Sequence, residues 1–319
     1  MKKDLISIQD LSPQEIEDLF VLAVKLKKNK SKFSRVLAGK SLALVFQKPS
    51  NRTRVSFEVG MYQLGGHAVY LSPGEINLGV RETVGDVAKT ISRYTDGIVL
   101  RTFQHQNCLE MAQASRVPVI NGLSDFSHPC QALADLFTIG EKFARLGSKS
   151  QKVGQRLKGL TLAYVGDGNN VCNSLLYAAA KTGMNIKVAT PAGYAPSAQV
   201  VKLAEEMAKD SLSQITITED PLAAVNGAQI VYTDVWASMG QEEEINKRKI
   251  IFKDFQINAR LLSKADSGVL VMHCLPAHRG EEITDEVMES KNSVVFDQAE
   301  NRMHVQKAIL IKLLKGVKL

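Results

Sequence analysis

The sequence predicts an α/β protein with two doubly wound parallel-sheet domains in tandem and a C-terminal helix that returns toward the first domain. Short apolar runs bounded by turn residues alternate with segments of helical periodicity along most of the chain, which is typical of parallel sheets covered by helices on both faces. A polar stretch at 146–159 interrupts this alternation, which then restarts. We therefore expect one domain at 1–147 and a second at 148–319.

The first domain is predicted to open with a helix at 12–28. Ser12 is its expected N-cap, Pro13 lies in the first turn, and Glu15 stands at capping-box spacing. The predicted strands that follow, each separated from the next by a helix-like segment, are SLALVF (41–46), HAVYLS, GIVLR and VPVIN.

The second domain repeats the pattern and ends with a helix from about Ala299 to Leu314. Its predicted strands are TLAYVGD, NIKVATP, ITITED, QIVYTDV and VLVMHCLP. Ligands bind beyond the carboxyl ends of parallel strands, so polar residues at those ends are candidate site residues. Such residues follow six predicted strands, as QKPSNRTR, Arg101, NGLSDFSHPCQ, GDGNN, TDVWASMGQE and HCLPAHRGEE.

The composition is that of a globular protein with a basic charge balance. The 319 residues suffice for two domains, and 45% hydrophobic with 23% charged residues is ordinary for such a protein. The formal charge of +7 fits either nucleic acid or small anionic substrates. The one marked basic cluster, KLKKNKSK at 25–32, has few aromatic neighbours, as expected of a solvated helix end. We therefore expect no nucleic-acid partner.

The sequence also predicts a cytoplasmic location. Its four cysteines, at 108, 130, 172 and 274, show no CxxC pairing, so neither a zinc site nor a disulfide framework is indicated. The N-terminus has an acid at Asp4 and no long apolar stretch after its lysines, unlike a signal peptide. Because no apolar run reaches about 18 residues, we expect no membrane contact.

The stretch QKPSNRTRVSFEVG (47–60) is the first candidate binding site. Ser50, Arg52, Thr53 and Arg54 immediately precede an apolar run at helical spacing. A helix N-terminus offers unpaired N–H groups and partial positive charge, and a guanidinium group matches phosphate or carboxylate geometry. The alternative is an ordinary Ser/Thr cap followed by exposed arginines.

The turn GDGNNV (166–171) is a weaker signal for a dinucleotide. Val171 occupies the place of the third glycine of the dinucleotide-binding fingerprint, and the next strand closes on Thr190 and Pro191 without an acid. The turn nevertheless directs backbone N–H groups and the amides of Asn169 and Asn170 toward a ligand.

Three further side chains allow both a functional and a structural interpretation. His128, with Gln131 one turn later, can bind a carbonyl oxygen and an amide of one small molecule, or can pack at a helix start. Cys274 is either a buried small hydrophobe or a nucleophile, and adjacent His273 should point to the opposite face of the strand. Asp234 suits an ammonium group or a helix cap.

These motifs together resemble those of the aspartate/ornithine carbamoyltransferase family over nearly the whole chain. The family signature Ser-Thr-Arg-Thr-Arg is present as Ser50-Asn51-Arg52-Thr53-Arg54, and a second as His128-Pro129-Cys130-Gln131. Signatures of the ornithine branch are present as Asp234 with Ser238-Met239-Gly240, and as His273-Cys274-Leu275-Pro276. Several spaced motifs in the right order make this resemblance specific.

The resemblance implies an N-terminal carbamoyl-phosphate domain, a C-terminal amino-acid domain and catalytic homotrimers. The implied reaction moves the carbamoyl group of carbamoyl phosphate to the δ-amine of L-ornithine, which gives L-citrulline and phosphate, a step of arginine biosynthesis. Whether the cell makes or degrades citrulline stays open. No metal or organic cofactor is implied, because positioning and electrostatics suffice for the transfer.

The resemblance also assigns roles to individual residues. The implied catalytic residues are Arg101, His128, Asp234 and Cys274. The implied carbamoyl-phosphate site comprises Ser50, Asn51, Arg52, Thr53, Asn77, Arg101, His128, Pro129, Cys130, Gln131, Cys274, Leu275 and Arg302. Ornithine would be held by Asn170, Asp234, Ser238 and Met239. A neighbouring subunit would contribute the loop GEINLGVRE, which carries Asn77.

Two departures from the family pattern affect these assignments. Asn51 replaces threonine but keeps a hydrogen-bonding side chain, so we expect altered affinity rather than lost function. Asn77 stands where relatives often have glutamine or histidine, and its shorter side chain puts the contact across subunits in question. Relatives that act on N-acetyl- or N-succinylornithine carry a proline-rich insertion, which the short segment 161–191 lacks.

Other functions stay open as alternatives at this stage. Putrescine or aspartate could replace ornithine as acceptor, although aspartate enzymes usually have His-Pro-Leu-Pro where this chain has His-Cys-Leu-Pro. An NAD-dependent oxidoreductase would need the missing glycine and acid. A basic nucleic-acid-binding module would show a steep salt dependence of DNA binding.

Overall fold

The computed structural model describes residues 3–144, 152–237 and 244–315. The chain forms two compact units, Met1–Phe137 with Glu300–Leu319, and Thr138–Ala299. We call them unit 1 and unit 2. The predicted domain boundary near residue 148 lies outside the described residues. In the part that the structure describes, no helix is long and apolar enough to cross a membrane.

Unit 1 contains a four-stranded parallel sheet in the order β2-β1-β3-β4. Its strands are β1 (Ser41–Phe46), β2 (His67–Leu71), β3 (Gly97–Arg101) and β4 (Val119–Leu123). The helices that begin in this unit are α1 (Pro13–Lys28), α2 (Asn51–Gln63), α3 (Pro73–Ile76), α4 (Val84–Ile91), α5 (His105–Ala114) and α6 (Pro129–Phe143). One core of the unit joins strand residues such as Val45 and Leu100 to Val87 of α4 and Met111 of α5.

Unit 2 contains a five-stranded parallel sheet in the order β7-β6-β5-β8-β9. Its strands are β5 (Thr161–Val165), β6 (Asn185–Ala189), β7 (Ile215–Thr218), β8 (Ile230–Thr233) and β9 (Leu270–His273). Its helices are α7 (Asn170–Thr182), α8 (Ala198–Ser211), α9 (Pro221–Val225), α10 (Ile245–Ile251), α11 (Ala259–Leu262) and α12 (Asp285–Met288). The predicted α/β class with two parallel sheets is thus confirmed.

The strand order of each sheet creates one position where ligands usually bind. The chain winds outward in both directions from β1 in unit 1 and from β5 in unit 2, so the order reverses between β1 and β3 and between β5 and β8. Crevices form beyond the carboxyl ends of strands at such reversals. Gln47 and Arg101 lie at the first reversal, and Gly166 and Asp234 lie at the second.

The last helix, α13 (Val295–Lys315), places its residues from Glu300 onward in unit 1, which confirms its predicted return. Lys27 Nζ of α1 donates to Asn301 Oδ1 at 2.8 Å, so polar contacts join α1 to α13. The helix begins four residues before the predicted Ala299. Val295 is buried, and this tertiary packing outweighs the weak helix propensity of a β-branched residue.

Local signals in the sequence located the start of α1 and came within two residues of the start of β4. Ser12 Oγ accepts from Glu15 N–H at 3.2 Å and Glu15 Oε2 accepts from Ser12 N–H at 2.8 Å, which confirms the capping box. Strand β4 begins at Val119, two residues after the predicted start, because Pro118 has no N–H to donate to a sheet.

Helix α2 buries only part of its predicted apolar run. Phe57 and Met61 are fully buried, as is Leu64 just after the helix. Val55 and Tyr62 are 54% and 79% exposed, so the helix presents a second apolar face that unit 1 does not cover.

Candidate active site

The N-terminus of α2 follows directly from the carboxyl end of β1. Ser50 is its N-cap, and Ser50 Oγ accepts from the backbone N–H of Thr53 at 3.4 Å. The Ser50 hydroxyl also donates to Thr53 Oγ1 at 3.1 Å. The structural alternative for Ser50, an ordinary helix cap, is therefore confirmed. A helix N-terminus of this kind offers N–H groups that suit an anion.

Arg302 reaches the same turn from α13. Its Nη2 donates to Thr53 Oγ1 at 2.9 Å, although the two residues are far apart in sequence. Arg302 is buried, as is Arg101 at the end of β3. The return of α13 to unit 1 thus brings Arg302 to the predicted residues Ser50 and Thr53.

His128 lies in a strongly cationic environment. It is 4% exposed and immediately precedes α6. Burial, reinforced by the positive charges of Arg302, Arg101, Lys48 and Arg52, holds the pKa of His128 well below its usual value. The imidazole is therefore neutral near pH 7 and can donate one N–H without adding charge. Lys48, which the sequence did not single out, belongs to this environment.

The rest of the second signature forms the start of α6. Pro129 is its first residue, where a missing N–H costs nothing. Burial raises the pKa of the Cys130 thiol to about 12, and its Sγ donates to the Asn121 carbonyl at 3.6 Å, so Cys130 is a packed thiol rather than a nucleophile. Gln131 Nε2 donates to Asp135 Oδ1 at 2.8 Å.

The two arginines of the opening motif differ in environment. Arg54 Nε donates to Glu58 at 3.0 Å, and its guanidinium group lies 3.8 Å from the centre of the Tyr70 ring. Arg54 is exposed on the side of α2 that carries this pair. The charge of Arg52, by contrast, contributes to lowering the pKa of His128.

The predicted loop with Asn77 is connected to the carboxyl end of β1. Gln47 Nε2 donates to the Leu78 carbonyl at 2.8 Å, and Gln47 Oε1 accepts from the Thr102 hydroxyl. Asn77 ends α3 with φ 40°, a left-handed conformation that asparagine tolerates better than most residues. This backbone requirement is a physical reason for asparagine at 77. Its side chain is exposed.

In unit 2, Asp234 is buried at the carboxyl end of β8. Its Oδ1 accepts from Val235 N–H at 2.8 Å and from the Cys274 thiol at 2.9 Å. Its Oδ2 accepts from Asn169 Nδ2 at 2.8 Å. Asp234 and Cys274, two predicted catalytic residues from different strands, are thus in direct contact.

Asn169 corrects one detail of the sequence interpretation. Its amide does not extend toward open space, because Asn169 Oδ1 caps α7 through the N–H groups of Val171 and Cys172. Its Nδ2 is bound to Asp234. Asn170, the first residue of α7, is the other asparagine of the turn and stays the candidate for ligand contact. Asn169 is instead a residue that orients Asp234.

The turn before Asn169 contains a buried ion pair that the sequence did not reveal. Asp167 Oδ2 and Arg248 Nη1 are 2.9 Å apart, and Arg248 Nη1 also donates to the Trp236 carbonyl. Burial raises the pKa of Asp167 to about 6, against the opposing effect of Arg248. Only side-chain distance, not spacing along the chain, identifies this pair.

His273 does not serve Cys274 as a base. Its Nδ1 accepts from Leu275 N–H at 2.8 Å, so the ring proton lies on Nε2, which donates to Glu282 at 3.0 Å. Leu275 has φ 60° and precedes a cis proline peptide. The expectation that the two side chains point to opposite faces is wrong, because their ligand atoms lie within 4.8 Å of each other. Both ring nitrogens of His273 are nevertheless engaged elsewhere, and His273 fixes the backbone that follows Cys274.

Two predicted ornithine residues, Ser238 and Met239, lie outside the described residues. Two groups of described side chains could hold a metal ion, because their ligand atoms lie within 4.8 Å of one another: Asp234, His273 and Cys274, and His278, Glu281 and Glu282. In the first group, the hydrogen bonds described above engage each side chain.

Comparisons with known proteins match both units. Sequence models described as "Aspartate/ornithine carbamoyltransferase, carbamoyl-P binding domain" and "Aspartate/ornithine carbamoyltransferase, Asp/Orn binding domain" match residues 3–141 and 158–313. The chain belongs to the aspartate/ornithine carbamoyltransferase family. This confirms the family that the sequence motifs indicated.

Similar members of this carbamoyltransferase family come from several organisms. An ornithine carbamoyltransferase of Thermococcus kodakarensis is 50% identical over 318 residues, which cover 99% of this chain and 98% of that protein. A Pyrococcus furiosus protein named "Ornithine carbamoyltransferase, anabolic" is 49% identical over 318 residues, with 99% and 98% covered. The solved structure of ornithine carbamoyltransferase from Pyrococcus furiosus has a TM-score of 0.92 and 50% identity, and covers 99% of this chain and 98% of its own.

The neutral His128 predicts a specific pH dependence of stability. Unfolded His128 takes up a proton near pH 6.5, whereas the folded residue does not, so the unfolded state binds more protons as the pH falls. We expect the wild-type protein to lose up to about 1.4 kcal/mol of unfolding free energy per pH unit below 6.5 from this residue, and His128→Gln to lose correspondingly less. Urea denaturation at pH 5, 6 and 7 in phosphate-free buffer measures this.

The control for this comparison is His67→Gln, which replaces an exposed histidine of the same unit. Identical pH dependence in wild type and His128→Gln would show that His128 is not buried in its neutral form.

Proposed function

We propose that the protein transfers the carbamoyl group of carbamoyl phosphate to the δ-amine of L-ornithine, with phosphate as the leaving group. The observation that carries this proposal is the group of cations around neutral His128, which includes Arg52, Arg101 and Arg302. Arg302 also donates to Thr53 in the first turn of α2. Relatives about 50% identical over nearly the whole chain are named ornithine carbamoyltransferase. The match thus extends to both units rather than to a single motif.

Unit 1 offers what carbamoyl phosphate requires. The phosphate carries negative charge before the reaction, so we assign it to the first turn of α2, with Ser50, Asn51, Arg52 and Thr53. The electrophilic carbonyl gains negative charge in the tetrahedral intermediate. We assign its oxygen to donors from Arg101, His128 and Thr53, since loss of one such donor typically costs about 3–4 kcal/mol.

A neutral His128 suits this role better than a charged one would. The environment already contains several fixed cations, and a further proton on the imidazole would add repulsion among them. The neutral ring can still donate a hydrogen bond to the carbonyl oxygen. Arg302 combines two functions in this scheme, because it orients Thr53 and adds positive charge.

Unit 2 offers what the amino acid requires. Asp234 presents a carboxylate for an ammonium group, and Asn170 can donate to the ornithine carboxylate. Cys274 is held against Asp234 at 2.9 Å and can orient the δ-amine. Ser238 and Met239 are proposed to complete the amino-acid site, and the backbone of Cys274 and Leu275 to contact the carbamoyl group.

The chemical step balances without a cofactor. The neutral δ-amine attacks the carbonyl carbon, a C–N bond forms, and the C–O bond to phosphate breaks with its electron pair leaving on the phosphate. One proton leaves the amine nitrogen and ends on the departing phosphate, which is released as hydrogen phosphate. An alkyl amine is mostly protonated near pH 7, so a site poor in water helps by disfavouring the charged form.

We also propose a homotrimer in which the loop 74–82 of one subunit completes the site of the next. The loop presents Val80 with 81% of its surface exposed, and α2 presents Val55 and Tyr62. Exposed apolar residues of this kind suit burial against another subunit. Asn77 at the start of this exposed stretch is the proposed contact residue.

Domain limits and location complete the proposal. We propose that residues 1–147 form the carbamoyl-phosphate-binding domain and residues 148–319 the ornithine-binding domain. We place the protein in the cytoplasm, because Cys108, Cys130, Cys172 and Cys274 are free thiols, as expected in a reducing compartment.

Substitution of two arginines should separate binding from chemistry. Arg52→Ala should mainly raise KM for carbamoyl phosphate, because phosphate charge exists in the ground state. Arg101→Ala should mainly lower kcat, because carbonyl charge develops only in the transition state, and we expect a loss of about a hundredfold or more. Steady-state kinetics with saturating ornithine measures both effects.

Arg54→Ala is the matched control for the two arginines, because Arg54 belongs to the same signature but pairs with Glu58 and Tyr70. We expect it to change both constants less than either other variant. Equally small effects in Arg52→Ala and Arg101→Ala would contradict the assigned site.

Asn169→Ala should lower the preference for ornithine as acceptor, because it removes a hydrogen bond that orients the Asp234 carboxylate. The wild type should prefer ornithine over putrescine by at least about a hundredfold in kcat/KM, since putrescine leaves the groups for the amino-acid end unpaired. We expect Asn169→Ala to reduce this preference by about tenfold or more, because Asp234 loses the 2.8 Å hydrogen bond that orients it. Parallel assays with both amines give the ratio.

The control for Asn169 is Asp220→Ala, because Asp220 caps α9 in the same unit just as Asn169 caps α7. Both variants lose a helix cap, worth about 1 kcal/mol, but only Asn169 contacts Asp234. An equal preference for ornithine in the two variants would mean that Asn169 acts only as a cap.

Mixed trimers test whether sites are shared. Arg101→Ala should be complemented by a variant shortened between Gly79 and Arg81. In one hybrid site, the shortened variant supplies an intact Arg101 and the Arg101→Ala subunit supplies an intact loop. We expect partial recovery of activity after joint refolding. Arg101→Ala mixed with Arg52→Ala is the control, because every site then lacks one of the two arginines that a subunit contributes to its own site. No recovery in verified hybrid trimers would exclude sharing through this loop.

A further inference from the structure

Gln131 has a fully buried carboxamide whose two ends differ in their contacts. Its Nε2 donates to Asp135 Oδ1 at 2.8 Å, one turn further along α6. Its Oε1 has no hydrogen-bond partner within residues 3–144, 152–237 and 244–315. A buried acceptor without a partner is costly in a folded protein, so its presence here suggests a ligand that donates to it.

The chemistry of Asp135 decides which end of Gln131 faces that ligand. A carboxylate accepts hydrogen bonds and donates none, so it binds the Nε2 end and excludes the alternative in which the amide is turned over. Asp135 is also fully buried, and its spacing of four residues on one helix face keeps it beside Gln131. The carboxamide is therefore held in one orientation.

That orientation matches a need of the proposed substrate. The carbamoyl group differs from an acetyl group by an NH₂ that must find acceptors. Arg52, Arg101, Arg302 and Lys48, the cations around nearby His128, are donors only and cannot supply one. An oxygen at the Oε1 position of Gln131 can.

We propose that Asp135 is a positioning residue for carbamoyl recognition: it turns the Gln131 carboxamide so that Oε1 accepts from the carbamoyl NH₂. Asp135 itself does not touch the substrate. The inference rests on the proposed function of Gln131 in the carbamoyl-phosphate site. It predicts that replacement of Asp135 lowers the preference for a ligand with NH₂ on its carbonyl over one with CH₃, without a general loss of affinity.

Two stable phosphonates test this selectivity. Phosphonoacetamide and acetonylphosphonate have the same shape and charge and differ only in NH₂ against CH₃ on the carbonyl. Calorimetric titration of the full-length protein gives their dissociation constants. We expect the wild type to favour the amide, and Asp135→Leu to reduce this preference by about tenfold, the upper size of one net hydrogen bond.

A double-mutant cycle with Gln131→Met identifies the route of the effect. Gln131→Met removes the acceptor and should lower the preference by a similar factor, and adding Asp135→Leu to it should cause no further loss of preference. Asp135→Leu that weakens both phosphonates equally, or leaves their ratio unchanged, would overturn the inference.

Asp135→Asn covers the case in which the leucine variant fails to fold. The asparagine can accept from or donate to Gln131, so both orientations become available and the preference should fall below that of the wild type; an unchanged preference would overturn the inference. If Gln131→Met keeps the full preference, the proposed role of Gln131 itself is wrong. If Gln131→Met loses it and Asp135→Leu does not, only the positioning role fails.

Discussion

The concentration of positive charge around His128 is the constraint on which the arrangement of unit 1 depends. Buried guanidinium groups repel one another and lose hydration, so they are held only where the surrounding fold fixes them. Arg101 comes from the end of β3, and Arg302 comes from a helix at the other end of the chain. A dianionic ligand relieves this repulsion when it binds. Burial and the same charges together hold the pKa of His128 well below its usual value, so the arrangement that suits the proposed anion also keeps the imidazole neutral.

Unit 2 differs from unit 1 in that a single carboxylate, rather than a group of cations, stands at the centre of its candidate site. One buried carboxylate, that of Asp234, accepts from a backbone N–H, a thiol and an amide. These donors orient the carboxylate without neutralising it, so it can still attract a cation. The side-chain oxygen of Asn169 caps α7, so Asn169 links the position of Asp234 to the start of that helix.

The fold, and the position of several candidate site residues at strand ends, could be predicted from the sequence for identifiable physical reasons. Buried parallel strands are continuous apolar runs, and the polar residues that follow them mark the carboxyl edge, which located Arg101, His128 and Asp234. The partner of each polar side chain was not accessible. Asn169 and Asn170 look alike in sequence, and only contacts across the sheet show that the first is occupied by Asp234. The ion pair of Asp167 with Arg248 joins residues 81 positions apart.

The reversal of strand order in each sheet has a consequence for how new enzymes can arise from this chain. Of the residues assigned to the acceptor that the structure describes, Asn170, Asp234 and Cys274 lie beyond the carboxyl ends of β5, β8 and β9, outside the strands that form the sheet. Loops beyond such strand ends can be exchanged between relatives without altering the sheet that supports them. Grafting the β8 loop of a relative with another amine specificity would leave the first turn of α2 untouched, so the range of acceptors can diversify while the proposed phosphate-binding residues stay fixed.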